Sequence, residues 1–289
     1  MGAIAIVGSV NRDLHLTVEN LPGPGETVLA EGMAVTTGGK GANQALAVVA
    51  AHGSCHLVAA VGDDSAGAAI LETLRAQGVD TAQLHQLTGS PTGTAVVTVD
   101  SHGENNIVVA SGANLALTAD QVGTSLRAIP DVTTVLTQCE VSPEVVAAAA
   151  DHARASGARF VLNLAPYRDT DLSILKQCDP LVVNEVEAAA MATELELNID
   201  DLGELALGLA ELCQSVVITA GADGAWCARG STATSVPAPV TEVVDTTGAG
   251  DAFVGALTAF LDRTDDLVQA CRAGVDAGSR AVQHRGAQP

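Results

Sequence analysis

The chain has 289 residues, with 34 Asp plus Glu against 13 Lys plus Arg, a formal net charge of −21. Apolar residues make up 47% and aromatic ones only 2%, so a chain long enough for one large core must build it from Ala, Val and Leu. That charge opposes phosphate backbones and anionic lipid surfaces, which argues against nucleic-acid and membrane partners, and the apolar content excludes a disordered acidic chain.

The opening residues carry no basic n-region and read as a buried strand, Ile4–Val7, rather than a leader peptide. Gly8-Ser9-Val10-Asn11-Arg12-Asp13 follows directly. Asn11 and Asp13 stand two apart, so in extended chain they face the same way and can hydrogen-bond a polyol; an Asx turn would use the same residues. The stretch 13–35 holds Pro22-Gly23-Pro24-Gly25 between apolar pieces. Next comes Gly38-Gly39-Lys40-Gly41-Ala42-Asn43-Gln44, leading into a predicted helix Asn43–His52. It is not a P-loop, because Lys40 is followed by Gly41 rather than Ser or Thr. Its glycines let backbone approach a ligand, and Lys40 and Asn43 offer donors suited to sugar hydroxyls; a plain glycine turn with a solvated lysine is the alternative.

A strand Leu57–Val61 and a helix Ala66–Gln77 come next. Thr94–Val99 and Asn106–Ala110 then flank Asp100-Ser101-His102-Gly103-Glu104, a hairpin signal. Residues 13–35 and 94–110 together predict a small antiparallel sheet, placed as a lid over the carboxyl ends of the main strands. The strand Thr134–Thr137 sets Glu140 near its end. Helix Pro143–Ser156 and strands Phe160–Asn163 and Leu181–Val183 follow. Asn184-Glu185-Val186-Glu187 opens helix Glu185–Thr193 and puts an amide and a carboxylate where they could organise magnesium waters, or simply cap the helix. After helix Leu202–Cys213 and strand Val216–Thr219, the loop Thr219–Gly224 could line a nucleotide pocket.

The strongest chemical signal is Asp245-Thr246-Thr247-Gly248-Ala249-Gly250-Asp251, opening helix Ala252–Leu261 ahead of a last helix, Leu267–Val282. Gly248, Ala249 and Gly250 can present backbone N–H groups at a helix N-terminus, an anion cradle. Asp251 in the same turn is badly placed to hold phosphate but well placed to take a proton from a hydroxyl that attacks it; a tight loop with an acid in the first helical turn is the alternative.

Strands alternating with Ala-rich helices predict an α/β fold, a mostly parallel sheet covered on both faces, as one domain over 1–289 with the lid inserted. The six cysteines form no Cys-x-x-Cys pair and read as reduced thiols of a cytoplasmic protein. The histidines show no metal-ligand spacing.

Taken together, the motifs around Asn11, Gly38–Ala45, Asn163-Leu164-Ala165-Pro166, Asn184–Glu187, Asp245–Phe253 and Arg285-Gly286-Ala287-Gln288-Pro289 resemble the ribokinase-like (phosphofructokinase-B) carbohydrate kinases. Within that family the Gly-Gly-Lys-Gly-Ala-Asn-Gln segment is similar to the members that phosphorylate ribose. The resemblance implies a three-layer α/β/α sandwich with a β lid, dimers in which lids clasp, and transfer of the ATP γ-phosphate to the primary 5-hydroxyl of D-ribose. Another pentose, deoxyribose or a nucleoside is the alternative acceptor, and a non-catalytic sugar-binding protein the alternative class. By position, Asp251 would be the base and the Gly248–Gly250 amides the anion hole. Asn11, Asp13, Gly39, Lys40, Asn43 and Glu140 would hold the sugar. Asn184, Thr219, Gly221, Gly224 and Gly250 would contact ATP, with Glu187 placing magnesium through water. A potassium ion beside the anion hole would take Asp245, Thr247, Ala281, His284 and Gly286 as ligands, mainly through backbone carbonyls. Val275 stands where relatives often carry Asn or His near the adenine.

Overall fold

The computed structural model describes residues 2–197, 199–284 and 286; Arg285, Ala287, Gln288 and Pro289 of the closing motif lie outside them. In chain order the elements are β1 (Ala3–Val7), β2 (Asn11–Thr17), β3 (Gly32–Gly38), α1 (Lys40–Ala50), β4 (Cys55–Gly62), α2 (Ser65–Ala76), β5 (Leu84–Leu87), β6 (Gly93–Val99) and β7 (Asn105–Ala110). Then come α3 (Ala113–Ala116), α4 (Ala119–Ala128), β8 (Val132–Gln138), α5 (Pro143–Ser156), β9 (Arg159–Asn163), α6 (Leu172–Leu175), β10 (Cys178–Asn184) and α7 (Glu185–Glu194). The last are α8 (Leu202–Leu209), β11 (Val216–Thr219), β12 (Ala225–Arg229), β13 (Thr232–Val236), α9 (Ala249–Leu261) and α10 (Leu267–Ala281).

Among the described residues the strands form a nine-stranded sheet, β13-β12-β11-β10-β9-β8-β1-β4-β5, and a four-stranded sheet, β3-β2-β6-β7. In the large sheet every pairing from β5 to β11 is parallel, and only the β11–β12 and β12–β13 pairings are antiparallel. Its strands are apolar on both faces, as a doubly covered parallel sheet requires. Ala3, Ala5 and Val7 of β1 enter one core cluster, with residues of α4, α5, α7 and α8. Ile4 and Ile6 enter the other, with residues of α1, α2, α9 and α10. The architecture is therefore helix layer, sheet, helix layer. No helix among the described residues is long and apolar enough to cross a membrane.

The small sheet is two antiparallel pairs, β2–β3 and β6–β7, joined by parallel pairing of β2 with β6. β2 leaves β1 after only Gly8-Ser9-Val10, so the small sheet is held at the carboxyl end of the large one, where open α/β sheets bind ligands.

Several element bounds differ from the sequence expectation. The helix placed at Asn43–His52 begins at Lys40, because Gly39 at φ 88° turns the chain out of β3 and its carbonyl accepts the Asn43 N–H at 3.0 Å. Likewise α9 begins at Ala249, after Gly248 in the left-handed region at φ 76°. Helix α4 was not legible in the apolar spacing; Thr118 and Gln121 cap it reciprocally. The hairpin β12–β13 is not marked by the residue pattern, because its Arg229-Gly230-Ser231-Thr232 turn is short and its strands carry little branched apolar residue.

At the amino end of the sheet, Asp179 accepts from Arg159, from Arg229 at 2.8 Å and from the Ser215 hydroxyl at 2.5 Å. Both arginines also reach Asp265, at 2.7 and 3.0 Å. This joins β9, β10, β12 and the α9–α10 loop far from the ligand end. Asp179→Ala leaves two half-buried guanidinium groups short of a partner and is expected to cost about 2–3 kcal/mol, with little effect on turnover. Urea unfolding at unchanged m-value measures the loss.

Candidate active site

The loop after β1 and the start of β2 build one wall of the site. Asn11 is buried, and its Oδ1 accepts from Asn114 Nδ2 at 2.7 Å, while Asn114 Oδ1 accepts the Val10 N–H at 2.8 Å. Asn114, at the start of the short α3, thus fixes which way the Asn11 amide faces. Asp13 lies against Gly38, where any Cβ would stand 1.8 Å from its Oδ2. Glu140, after β8, accepts the Ser9 hydroxyl and, at 3.1 Å, the Lys40 backbone N–H, tying that wall to the start of α1.

Two buried oxygens here, Asp13 Oδ1 and Asn43 Oδ1, have no partner among the described residues. Unpaired buried acceptors are costly, so these two ask for a donor from outside the chain, such as a hydroxyl. Burial pushes the Asp13 carboxyl up to about 6, helped by the negative charges of Glu140 and Asp251. Burial works against the charged Lys40 ammonium, but Asp251, Glu140 and Glu187 outweigh it and hold it above the ordinary lysine value. Lys40 is thus the counter-charge of a carboxylate-rich pocket.

Asp251, only 7% exposed, sits in the first turn of α9. Its Oδ2 accepts from Asn43 Nδ2 at 3.1 Å and its Oδ1 from Gln44 Nε2 at 2.9 Å. Helix α1 therefore delivers two consecutive amides to one carboxylate. Of the amides expected in the anion cradle, the Ala249 N–H donates to the Thr246 carbonyl at 3.2 Å. Gly250 has, among the described residues, no atom within 4 Å of where its Cβ would be, and it lines both neighbouring cavities.

The first cavity, about 80 Å³, brings Lys40, Asp251, Gly250, Asn184, Glu187 and Thr219 together. Asn184 and Glu187 cap α7 reciprocally: Asn184 Oδ1 accepts the Glu187 N–H at 2.8 Å and Glu187 Oε2 accepts the Asn184 N–H at 2.9 Å. The capped-helix alternative and the cavity wall are thus the same structure. Burial raises the Glu187 carboxyl above the ordinary value, against the pull of the Asn184 N–H and Lys40.

The second cavity, about 480 Å³, opens beyond Gly250 and is lined by Thr219, Gly221, Gly224, Ala249, Phe253 and Val275 among others. Its wall is mainly apolar, and its size suits a nucleoside moiety. Val275 does line it, as an apolar contact. Beside it, Asp245 accepts the Thr247 N–H and the Gly286 N–H, each at 2.9 Å. Burial opposes the Asp245 charge, but these bonds prevail and hold its carboxyl below the usual range. The carbonyl of Ala281 accepts the His284 N–H at 3.2 Å, and that of Val282 the N–H groups of Val244 and Asp245. The expected cation residues are therefore gathered in two strands of loop pinned to each other.

The site also holds Ser9, Gln44, Asn114, Gln138 and Asn163, which residue pattern alone does not mark as site residues. Ser9, Gln44 and Asn163 stand inside the motifs named above, Gln138 two residues before Glu140 and Asn114 in Gly112-Ala113-Asn114, which is the available signal; that they meet at one site is decided by the fold.

The sequence profile of the pfkB family carbohydrate kinases matches residues 1–289. A ribokinase of Bacillus subtilis is 36% identical over 288 residues, covering 100% of this chain and 95% of its own. A deoxyribokinase of Salmonella typhi is 29% identical, covering 99% and 94%. The Arabidopsis thaliana ribokinase structure, complexed with ribose and ATP, superposes with a TM-score of 0.89 at 28% identity, covering 99% of this chain and 94% of that one.

Proposed function

The chain belongs to the pfkB family of carbohydrate kinases, and on that premise we propose that it transfers the ATP γ-phosphate to the primary 5-hydroxyl of D-ribose, giving D-ribose 5-phosphate and ADP. The observation that carries this reading is the meeting, at one carboxylate, of a polar wall and a nucleotide-sized cavity. Asp251 touches Asn43 on the wall side and lines the cavity that leads past Gly250. The names of the relatives support ribose as the acceptor.

In this mechanism Asn11, Asp13, Gly39, Lys40, Asn43 and Glu140 hold the sugar. Asp13 Oδ1 and Asn43 Oδ1 each accept one of its hydroxyls. Asp251 takes the proton of the 5-hydroxyl as its oxygen bonds to phosphorus. The Gly248–Gly250 segment and the positive end of α9 stabilise the charge on the phosphoryl oxygens. Lys40 balances the carboxylates around them. Asn184, Thr219, Gly221 and Gly224 line the path of the nucleotide.

The donor chemistry also fits two cations. Glu187 and Asn184 offer oxygen beside the phosphate path, suited to magnesium through water. Asp245, Thr247, Ala281, His284 and Gly286 offer a carboxylate and carbonyls suited to potassium. Magnesium would neutralise phosphate charge, and potassium would stiffen the anion-hole loop.

The four-stranded sheet forms the lid in this reading, and it leaves Met33 71%, Ile107 58% and Val108 69% exposed. A surface of this kind marks an association site, so the lids pair in a homodimer. Light scattering is expected to show a dimer at micromolar concentration, and Ile107→Asp with Val108→Asp to give a monomer. The reaction belongs to the cytoplasm, where ATP is available and the cysteines, all free among the described residues, stay reduced.

An ADP-release assay over ribose, deoxyribose, other pentoses and nucleosides, with magnesium and with potassium or sodium, tests the whole reading. Highest kcat/KM on ribose, stimulated by potassium, is expected. Preference for deoxyribose would move the protein to the alternative acceptor, and no turnover of any sugar would leave a binding protein. The same assay reads Asp13. With its carboxyl at about 6, it loses its charge as pH falls through that value, so sugar KM is expected to rise on the acid side while nucleotide affinity holds. Because the folded state binds this proton more tightly than the unfolded chain, the group lowers stability above pH 6, a penalty that fades as pH falls toward 3.8.

A further inference from the structure

Behind Asp251 lies a chain of buried amides that the phosphoryl-transfer scheme above does not use. Asn163 Nδ2 donates to the Val182 carbonyl at 3.2 Å. A backbone carbonyl can only accept, so this bond turns Asn163 Oδ1 toward α1, where it accepts from Gln44 Nε2 at 3.0 Å. Gln44 must then present its NH₂ group on this side, and the second hydrogen of that group goes to Asp251 Oδ1 at 2.9 Å. Gln44 Oε1 in turn accepts from Gln138 Nε2 at 2.6 Å. Gln44 and Gln138 are fully buried, and Asn163 nearly so. Each amide has its polarity set by its neighbour, and the series starts from a backbone group that cannot be reversed. The backbone also leaves room for it: a Cβ on Gly8 would stand 2.2 Å from Gln138 Oε1.

From this geometry we infer that Gln44, oriented by Asn163, is the positioning residue of the catalytic carboxylate. It holds Asp251 Oδ1 with a donor whose direction cannot change, which fixes the rotation of the carboxylate about its Cβ–Cγ bond. The proton taken from the sugar hydroxyl is then received on Oδ2, the oxygen on the side of Asn43. Gln44 itself lines neither cavity. This role rests on the kinase reading and deepens it.

The test uses Gln44→Met, which keeps length and loses the donor, and Gln44→Glu, which puts an acceptor and a like charge against Asp251. A misoriented base affects the chemical step, so kcat is expected to fall by about 10–100-fold in Gln44→Met, the loss of a hydrogen bond to a charged group. A larger fall is expected in Gln44→Glu, with KM for sugar and nucleotide within a few fold in both. ADP affinity by calorimetry, unchanged in both variants, shows that the pocket is folded. Asp251→Asn is run beside them as the reference for a lost base, on whichever pentose the wild type phosphorylates best. If Asp251→Asn is impaired while Gln44→Met keeps wild-type kcat, the positioning role is wrong and the kinase reading survives. If kcat, KM and ADP affinity degrade together, Gln44 supports the fold rather than the carboxylate. An active Asp251→Asn would instead sink the kinase mechanism itself.

Discussion

Asp251→Asn is expected to lower kcat by about 10²–10⁴-fold, the usual contribution of a general base. The substitution keeps the size of the side chain and the start of α9. The new amide can still accept from Gln44 on one side. On the other its NH₂ would face Asn43 Nδ2, 3.1 Å from the present Oδ2, and two donors repel. Asn43 can answer by turning its amide round, because its Oδ1 has no partner among the described residues. The fold is therefore retained, and what is lost is the capacity to accept a proton. ADP and ATP should bind as in the wild type or slightly more tightly, since one negative charge beside the phosphate path has gone. Single-turnover rates measure the chemical step and calorimetry the nucleotide. A variant turning over within a few fold of wild type, with contaminating kinase excluded, would remove Asp251 from the role of base.

Gly38→Ala is the second large effect expected, and it acts on the sugar alone. The added Cβ would stand 1.8 Å from Asp13 Oδ2 and 2.3 Å from its Cγ. Neither position is tolerable, and the carboxylate is too short to swing its end away while staying in place. Asp13 must leave its site. The acceptor that its Oδ1 offers to a hydroxyl leaves with it, so sugar KM should rise by about 10–100-fold, the range for one lost buried hydrogen bond to a charged group. Nucleotide affinity should not change, because Gly221, Gly224, Phe253 and Val275 lie on other elements. Asp13→Ala should reproduce the effect, and the double substitution should add little to either, since both remove one interaction. Full additivity would place the damage of Gly38→Ala somewhere other than Asp13.

Much of the molecule was legible in the residues alone. The apolar strands and Ala-rich helices determined an α/β sandwich, because a strand apolar on both faces has to be covered twice. The motif at Asp245–Asp251 determined a carboxylate in the first turn of a helix beside small residues, since a glycine at positive φ there leaves few other conformations. What short-range pattern could not supply was direction. Nothing in the order of residues says that Gln44 turns its NH₂ toward Asp251, or that Asn163, 119 positions away, sets that direction. Nor does it say that Asn114 steers Asn11, or that Asp13 fills the space a side chain at Gly38 would take. Hydrogen-bond polarity and close approach are properties of pairs brought together by the parallel sheet, which joins residues distant in sequence at its carboxyl end. The sequence thus settled which groups are available for the chemistry, and the tertiary structure decided which of them meet and which way each one faces.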